Sequence, residues 1–229
     1  MAEAYIVDAI RTPTGRRNGG LSQAHPADMG AHVISELIKR NDFDAAAVED
    51  VVFGCLDTIG PQAGDIARTC WLAAGLPESV PGVTIDRQCG SSQQAVHFAA
   101  MGVMSGVQDI VVAGGTQNMS MIPIGSSWTI AKELGHATPF EHSKGWTERY
   151  GKTPVNQFYG AEQIANQWNI SREDMEEFAY NSHQRALRAI DEGRFEREIT
   201  AYGDVTTDEG PRRNTTLEKM ATLKVLFPG

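Results

Sequence analysis

One stretch of the chain has the residue types for covalent chemistry: Asp86-Arg87-Gln88-Cys89-Gly90-Ser91-Ser92-Gln93-Gln94-Ala95. Gly82-Val83-Thr84-Ile85 precedes it, short, β-branched and bounded by Pro81, the pattern of a buried strand. Gln93 to Met104 follows, rich in Ala, Met, Val and Gln, a helical composition. Cys89 therefore falls at a strand-to-helix turn, beside the first backbone N–H groups of a helix. That end of a helix carries about half a positive charge, which favours a thiolate, and a thiolate there is a nucleophile for an acyl group. Its own N–H can donate to a developing oxyanion. The competing reading is a cysteine packed as a small hydrophobe, the commoner fate of the residue. Polar Gln88, Ser91 and Ser92 argue against an oily pocket, and these residues alone leave the two readings evenly matched. Cys55, inside Val51-Val52-Phe53-Gly54-Cys55-Leu56, and Cys70, on a helical pattern with Ile66 and Trp71, read as core.

A nucleophile needs a base within about 3 Å. His97 lies eight residues beyond Cys89 on the same helix, which at about 1.5 Å per residue is about 12 Å along the axis, too far. His136 and His142 lie in a loop-like stretch and could approach, but no orienting partner is visible for either. His25, His32 and His183 read as surface or core. No two histidines have metal-ligand spacing, so no metal is expected. The chain contains no G-x-S-x-G elbow, which disfavours a serine hydrolase. Gly114-Gly115-Thr116-Gln117-Asn118 lacks the phosphate-loop pattern and reads as a structural turn.

The elements that must position Cys89 can be read from the pattern. Ala4 to Ile10 is expected as a first strand, ended by Arg11-Thr12-Pro13-Thr14-Gly15. Ala27 to Arg40 carries Met29, Val33, Ile34, Leu37 and Ile38 at helical spacing, with Pro26 in its first turn. A strand over 51–56, a helix over 65–74, the strand at 82–86, the Cys89 helix and a strand at 109–113 follow. This β-α-β-α-β-α-β order predicts an α/β fold with a mostly parallel sheet covered by helices. Working residues of such sheets collect beyond the carboxyl ends of the strands, where Cys89 falls. From Thr116 to Thr153 periodicity is weak. Helices are expected over 156–168 and from Arg172 to Glu192, the second opened by a Ser171–Asp174 capping box and stopped by Gly193. Two domains are expected, 1–120 and a covering unit over 121–229. A covering unit needs something to cover, so the chain reads as cut short.

The net charge of −9 argues against nucleic acid or an anionic membrane as the main partner. Three cysteines without a CxxC pair suit a reducing compartment. No apolar run approaches the roughly 20 residues of a membrane span, and no secretory pattern opens the chain. A cytoplasmic protein is expected.

Several motifs together resemble the thiolase family. Val7-Asp8-Ala9-Ile10-Arg11-Thr12-Pro13 is similar to the family's start, Gln88-Cys89-Gly90-Ser91 to its reactive-cysteine motif, and Gly114-Gly115-Thr116-Gln117-Asn118-Met119-Ser120 to its GGxExMS segment. Ala161-Glu162, Gly193-Arg194-Phe195 with Glu198-Ile199, and Thr215-Thr216-Leu217-Glu218-Lys219-Met220-Ala221 fall in family order. The resemblance implies two similar βαβαβαββ halves stacked in five αβαβα layers, with a loop domain inserted in the first half. It also implies acyl transfer between 3-ketoacyl-CoA or acetyl-CoA and coenzyme A through an acylated cysteine, here Cys89. Coenzyme A or acyl-CoA would be substrate, with no permanently bound cofactor and with homodimers or homotetramers expected. Arg212, the first residue of the Arg212-Arg213 pair, resembles the loop-domain arginine near the adenine and phosphate end of CoA. Lys219 falls where many relatives have a serine near CoA.

The departures carry information too. Asp86-Arg87 replaces the usual Asn/Ser-x pair, Gln93-Gln94 replaces small residues, Gln117 stands where the family has Glu, and Asn156-Gln157-Phe158 stands in place of His-Met-Gly. Together they point to longer, branched or sterol-derived acyl chains. The family's GHP histidine, NEAF asparagine and second, CxG cysteine are not in these 229 residues. The chain resembles the first three-fifths of a thiolase, with the C-terminal half absent and turnover not expected from this portion alone. A thiolase-like, non-catalytic lipid or acyl-CoA binding protein is the alternative. A ketoacyl-synthase-type condensing enzyme shares the nucleophile turn but fits the 156–221 motifs less well.

Overall fold

A computed structural model describes residues 3–226. Three strands, β1 (Asp50–Gly54), β2 (Gly82–Ile85) and β3 (Val111–Gly115), form one parallel sheet in the order β2-β1-β3. Val52 of β1 pairs with Val83 on one side and Ala113 on the other. The composition of β1 explains its central place. Val51, Val52 and Phe53 are all buried, so both faces of the strand are covered, as its unbroken apolar run requires. Each strand is joined to the next by a helix, the connection parallel neighbours need.

Helix α1 (Pro26–Asn41) starts with proline in its first turn, and the His25 side chain accepts from the Ala27 N–H at 3.2 Å. Helix α2 (Ile66–Ala73) crosses it closely. A methyl group added to Gly30 of α1 would stand 2.3 Å from Cys70 Sγ of α2, so only glycine permits this approach. Ile34, Phe53, Ile66, Cys70, Trp71 and Val112 form the heart of one apolar core. Helix α3 (Ser91–Met104) follows the Cys89 turn. It turns small and polar residues inward (Ser91, Gln94, Ala95, Ala99) and leaves Phe98, Met101 and Met104 exposed.

The expected first strand does not form. Residues 3–10 are assigned to no strand, and Tyr5, Ile6 and Val7 are exposed. Extended-chain propensity without a ladder partner makes no strand, and only Arg11 is paired here, in an isolated parallel bridge to Ile199. The Arg11 guanidinium forks onto Asp208 at 2.7 and 3.0 Å and its Nε reaches Glu198 at 2.8 Å. Glu209 accepts from the backbone N–H groups of Arg16 and Gly20. Segment 197–209 thus straps the N-terminal loop, and His32 of α1 meets it edge-on at Tyr202.

The chain divides into two compact units. One runs to Thr138 and takes in Arg197–Glu209, and the other comprises Pro139–Glu196 and Gly210 onward. The division differs from the boundary expected after residue 120, because the chain returns to the first unit as the strap. The first unit also holds a short helix, α4 (Ser126–Thr129). The second is helical: α5 (Lys144–Tyr150), α6 (Gln157–Trp168), α7 (Arg172–Asp191) and α8 (Leu217–Ala221). The capping box expected at Ser171 and Asp174 is present, and Gly193 has φ of 68° where α7 stops. Arg172 of α7 donates to the carbonyls of Met220 and Leu223, tying α7 to α8. Helices α4 and α5 fall in the stretch expected as loop.

Candidate active site

The turn that carries Cys89 is built by local hydrogen bonds that its sequence supplies. Asp86 Oδ1 accepts from the Gln88 N–H at 2.7 Å and from Gln88 Nε2 at 3.3 Å. That bond holds Gln88 at φ of 49°, a left-handed conformation uncommon outside glycine. Ser91 Oγ closes the turn from the other side, accepting from the Arg87 N–H at 2.9 Å and donating to the Gln88 carbonyl at 2.5 Å. Cys89 stands between these anchors, the residue before the N-cap Gly90 of α3. It is exposed and outside any disulfide, so the reading of a buried, apolar cysteine is excluded. Cys55 and Cys70 are buried, as expected. Burial, reinforced by Asp57 and Asp86, pushes the Cys55 thiol up to about 11, and burial chiefly pushes Cys70 up to about 12.

Cys89 opens onto a pocket of about 170 Å³ at the carboxyl end of the sheet. Its walls are Gly54-Cys55-Leu56 at the end of β1, Gln88 and Cys89 with Ser91 and Ser92, and Gly115-Thr116-Gln117 at the end of β3. Two glycines let these three segments converge. A methyl group on Gly54 would stand 2.3 Å from the Ser92 nitrogen, and one on Gly115 would stand 2.2 Å from Ser92 Oγ. The first turn of α3 therefore rests on strand-end backbone, where a Cβ would push it away. Gln117 Oε1 accepts from the Leu56 N–H at 3.4 Å, while its buried Nε2 has no partner among the described residues.

Residues beyond the strand ends are locked by a buried polar chain. Asn118 shares its Nδ2 protons among the carbonyls of Leu21, Ser22 and Ala24 and accepts from the N–H groups of Ser120 and Met121. Its own N–H donates to Gln62, which donates onward to the Asp57 carbonyl. The buried Asp57 carboxylate accepts from the Gly125 and Ser127 N–H groups and the Ser127 hydroxyl, capping α4.

An exposed cysteine thus stands on a strand-to-helix turn, over a pocket at the end of a parallel sheet. The family model described as "Thiolase, N-terminal domain" matches residues 4–229. The chain belongs to the thiolase family. Among its relatives is a steroid 3-ketoacyl-CoA thiolase of Mycobacterium tuberculosis, 54% identical, with 100% of this chain and 57% of the relative covered. A β-ketoadipyl-CoA thiolase of Acinetobacter baylyi is 39% identical over 98% of this chain and 60% of its own length. The crystal structure of a Bacillus anthracis acetyl-CoA acetyltransferase superposes with a TM-score of 0.77 at 30% identity, over 100% of this chain and 60% of that one. This thiolase chain thus spans 57–60% of the length of these relatives.

The other two residues singled out in this thiolase sequence, Arg212 and Lys219, lie in the second unit. The Arg212 N–H donates to His183 Nδ1 at 3.2 Å, and its exposed guanidinium is in no ion pair among the described residues. Arg213 beside it is committed to Asp191 through two nitrogens. That contact holds the Asp191 carboxyl below the usual carboxylate range. Lys219, on α8, donates to the Asn214 carbonyl at 2.7 Å. Sequence reasoning treated Gln117 only as a departure from a motif. Its place in the pocket depends on the Leu56 N–H, which lies far away in sequence.

Proposed function

We propose that this chain carries the nucleophile and part of the CoA-binding residues of a 3-ketoacyl-CoA thiolase, with Cys89 as the acyl acceptor. The observation that carries the reading is the exposed Cys89 thiol just before α3, over a pocket formed by the ends of β1 and β3 and by the Cys89 turn. In the degradative direction Cys89 Sγ bonds to the 3-keto carbon, the C2–C3 bond breaks, and acetyl-CoA departs with a proton on C2. Coenzyme A then attacks the acyl-cysteine and leaves as the shortened acyl-CoA. Arg212 and Lys219 supply positive charge for the anionic end of CoA. The uncommitted Arg212 guanidinium supports that role, since the neighbouring Arg213 is already held by Asp191.

The 54% identity to a steroid 3-ketoacyl-CoA thiolase supports long, branched or sterol-derived acyl chains as the substrate class. A homodimer or homotetramer in the cytoplasm accords with the family resemblance, and no helix among the described residues is long and apolar enough to cross a membrane. The second reading, a non-catalytic acyl-CoA binding protein, draws on one observation. Asp86-Arg87 before Cys89 and Gln93-Gln94 after it depart from the residues usual in the family.

Incubating the full-length gene product with an acyl-CoA and weighing its peptides decides between them. A mass increase of one acyl group on the Cys89 peptide is expected. Tight acyl-CoA binding without that increase would establish the binding-protein reading instead.

A further inference from the structure

We propose that Asp86 is a positioning residue for Cys89, its carboxylate serving as the acceptor that holds Gln88 in the left-handed turn and so keeps the thiol over its pocket. The inference rests on the thiolase reading of Cys89 and adds to it the residue that sets the thiol's approach. Three observations carry it.

The peptide groups on both sides of Gln88 are pinned by side chains. The Gln88 carbonyl, which shares a plane with the Cys89 nitrogen, accepts from Ser91 Oγ at 2.5 Å and from the Ser91 N–H at 3.1 Å. The preceding peptide is held at its carbonyl edge by the Gly90 N–H at 3.1 Å and at its N–H edge by Asp86 Oδ1 at 2.7 Å. Between these two planes Gln88 has φ of 49°, a conformation that a residue with a Cβ disfavours and leaves when an anchor is lost. Asp86 itself is exposed, and both hydrogen bonds given for it go to Gln88, to the backbone N–H and to Nε2. Its place in the molecule is this turn. Lastly, Gln88 and Cys89 line the same pocket, so rotation about Gln88 moves the nucleophile and part of its wall together.

Acylation asks more of the turn than access to the thiol. With acetyl-CoA, Cys89 Sγ bonds to the carbonyl carbon, the carbon–sulfur bond to CoA breaks, and the thiol proton leaves on the CoA thiol. The sulfur must meet a carbonyl held at a set place, and a misplacement of about 1 Å can cost a hundredfold in rate. A small reagent that meets the exposed thiol from solvent has no such demand. Asparagine at position 86 offers the same acceptor oxygen to the Gln88 N–H without the charge, whereas alanine offers none.

The test uses the full-length protein and its Asp86→Ala and Asp86→Asn variants. Two rates are measured at Cys89: acylation by acetyl-CoA and labelling by a small methanethiosulfonate, which has no carbonyl. Asp86→Ala is expected to slow acylation by roughly tenfold or more with labelling close to wild type. Asp86→Asn is expected to restore acylation to within about threefold of wild type, because it restores the acceptor. Unchanged acylation in Asp86→Ala overturns the proposal, and so does an equal loss with both reagents, which means a general loss of structure. An Asp86→Asn variant as slow as Asp86→Ala also overturns it, since the charge and not the acceptor would then matter. Wild-type protein that is labelled but never acylated would instead overturn the thiolase reading, and this proposal with it.

Discussion

Gly54 lies directly against Ser92: a methyl group on the glycine would fall 2.3 Å from the serine's backbone nitrogen. The end of the central strand and the first turn of α3 are therefore in backbone-to-backbone contact. Gly54→Ala is expected to destabilise the protein by about 1–3 kcal/mol through overpacking. It should also shift α3 and so slow thiol labelling of Cys89, whereas Gly160→Ala, at a helical glycine with open space around its would-be Cβ and no left-handed φ, should leave Cys89 labelling unchanged. Paired denaturant melts and labelling rates check both statements.

The three cysteines should separate cleanly by reactivity. At about pH 8 an alkylating reagent is expected to modify Cys89 in the native protein. Cys55 and Cys70, with thiols pushed up to about 11 and about 12 by burial, should react only in denaturant. Peptide mass mapping after a timed pulse reads the result, and native labelling of Cys70 ahead of Cys89 would contradict the described core.

Acid should loosen the strap. The Arg11 fork holds the Asp208 carboxyl below the usual carboxylate range, with the Thr14 N–H adding to it. A depressed folded value means the stabilisation is fully present above the unfolded value of about 3.9 and is lost as pH falls through the folded one. Asp208→Asn is expected to cost about 1–3 kcal/mol near neutral pH, because Arg11 loses one of its two carboxylate partners and keeps Glu198. The gap between variant and wild type should close below about pH 4. Urea melts across pH 3–7 would show it.

Asn118 should be among the costliest polar residues to remove. It satisfies three carbonyls and two N–H groups while 5% exposed. Asn118→Ala is expected to destabilise by about 2–3 kcal/mol, and Asn118→Asp should rescue little, since the carboxylate donates nothing to the carbonyls. Thermal melts of both variants settle the comparison.

The sequence disclosed what depends on near neighbours. The runs Val51–Leu56 and Gly82–Asp86, the helical spacing after Pro26 and the Ser171 capping box each carry their own local signal, and each formed as an element. Cys89 was legible for the same reason, since strand, turn and helix start are consecutive. The failures share a different cause. Ala4–Ile10 has strand composition, yet a strand needs a ladder partner, and composition does not report one. Helix α4 is a short turn capped by the distant Asp57, so nothing in Ser126–Thr129 announces it. Helix α5 did carry a local signal, Ser143 accepting from the Trp146 N–H, in a stretch broken up by Gly135, Pro139 and Gly151. The orphan nitrogen of Gln117 could be seen only once Leu56 was placed beside it.

The strand order has a consequence for how the chain is made. β1 leaves the ribosome before either neighbour, yet it is the middle strand and needs both. Until residues 82–85 and then 111–115 emerge, a run of Val, Val and Phe waits unpaired. The Cys89 pocket, walled partly by Gly115, Thr116 and Gln117, is completed last among these parts. Slowed translation between β1 and β3 would prolong exposure of that run, and chaperone engagement should concentrate in this window.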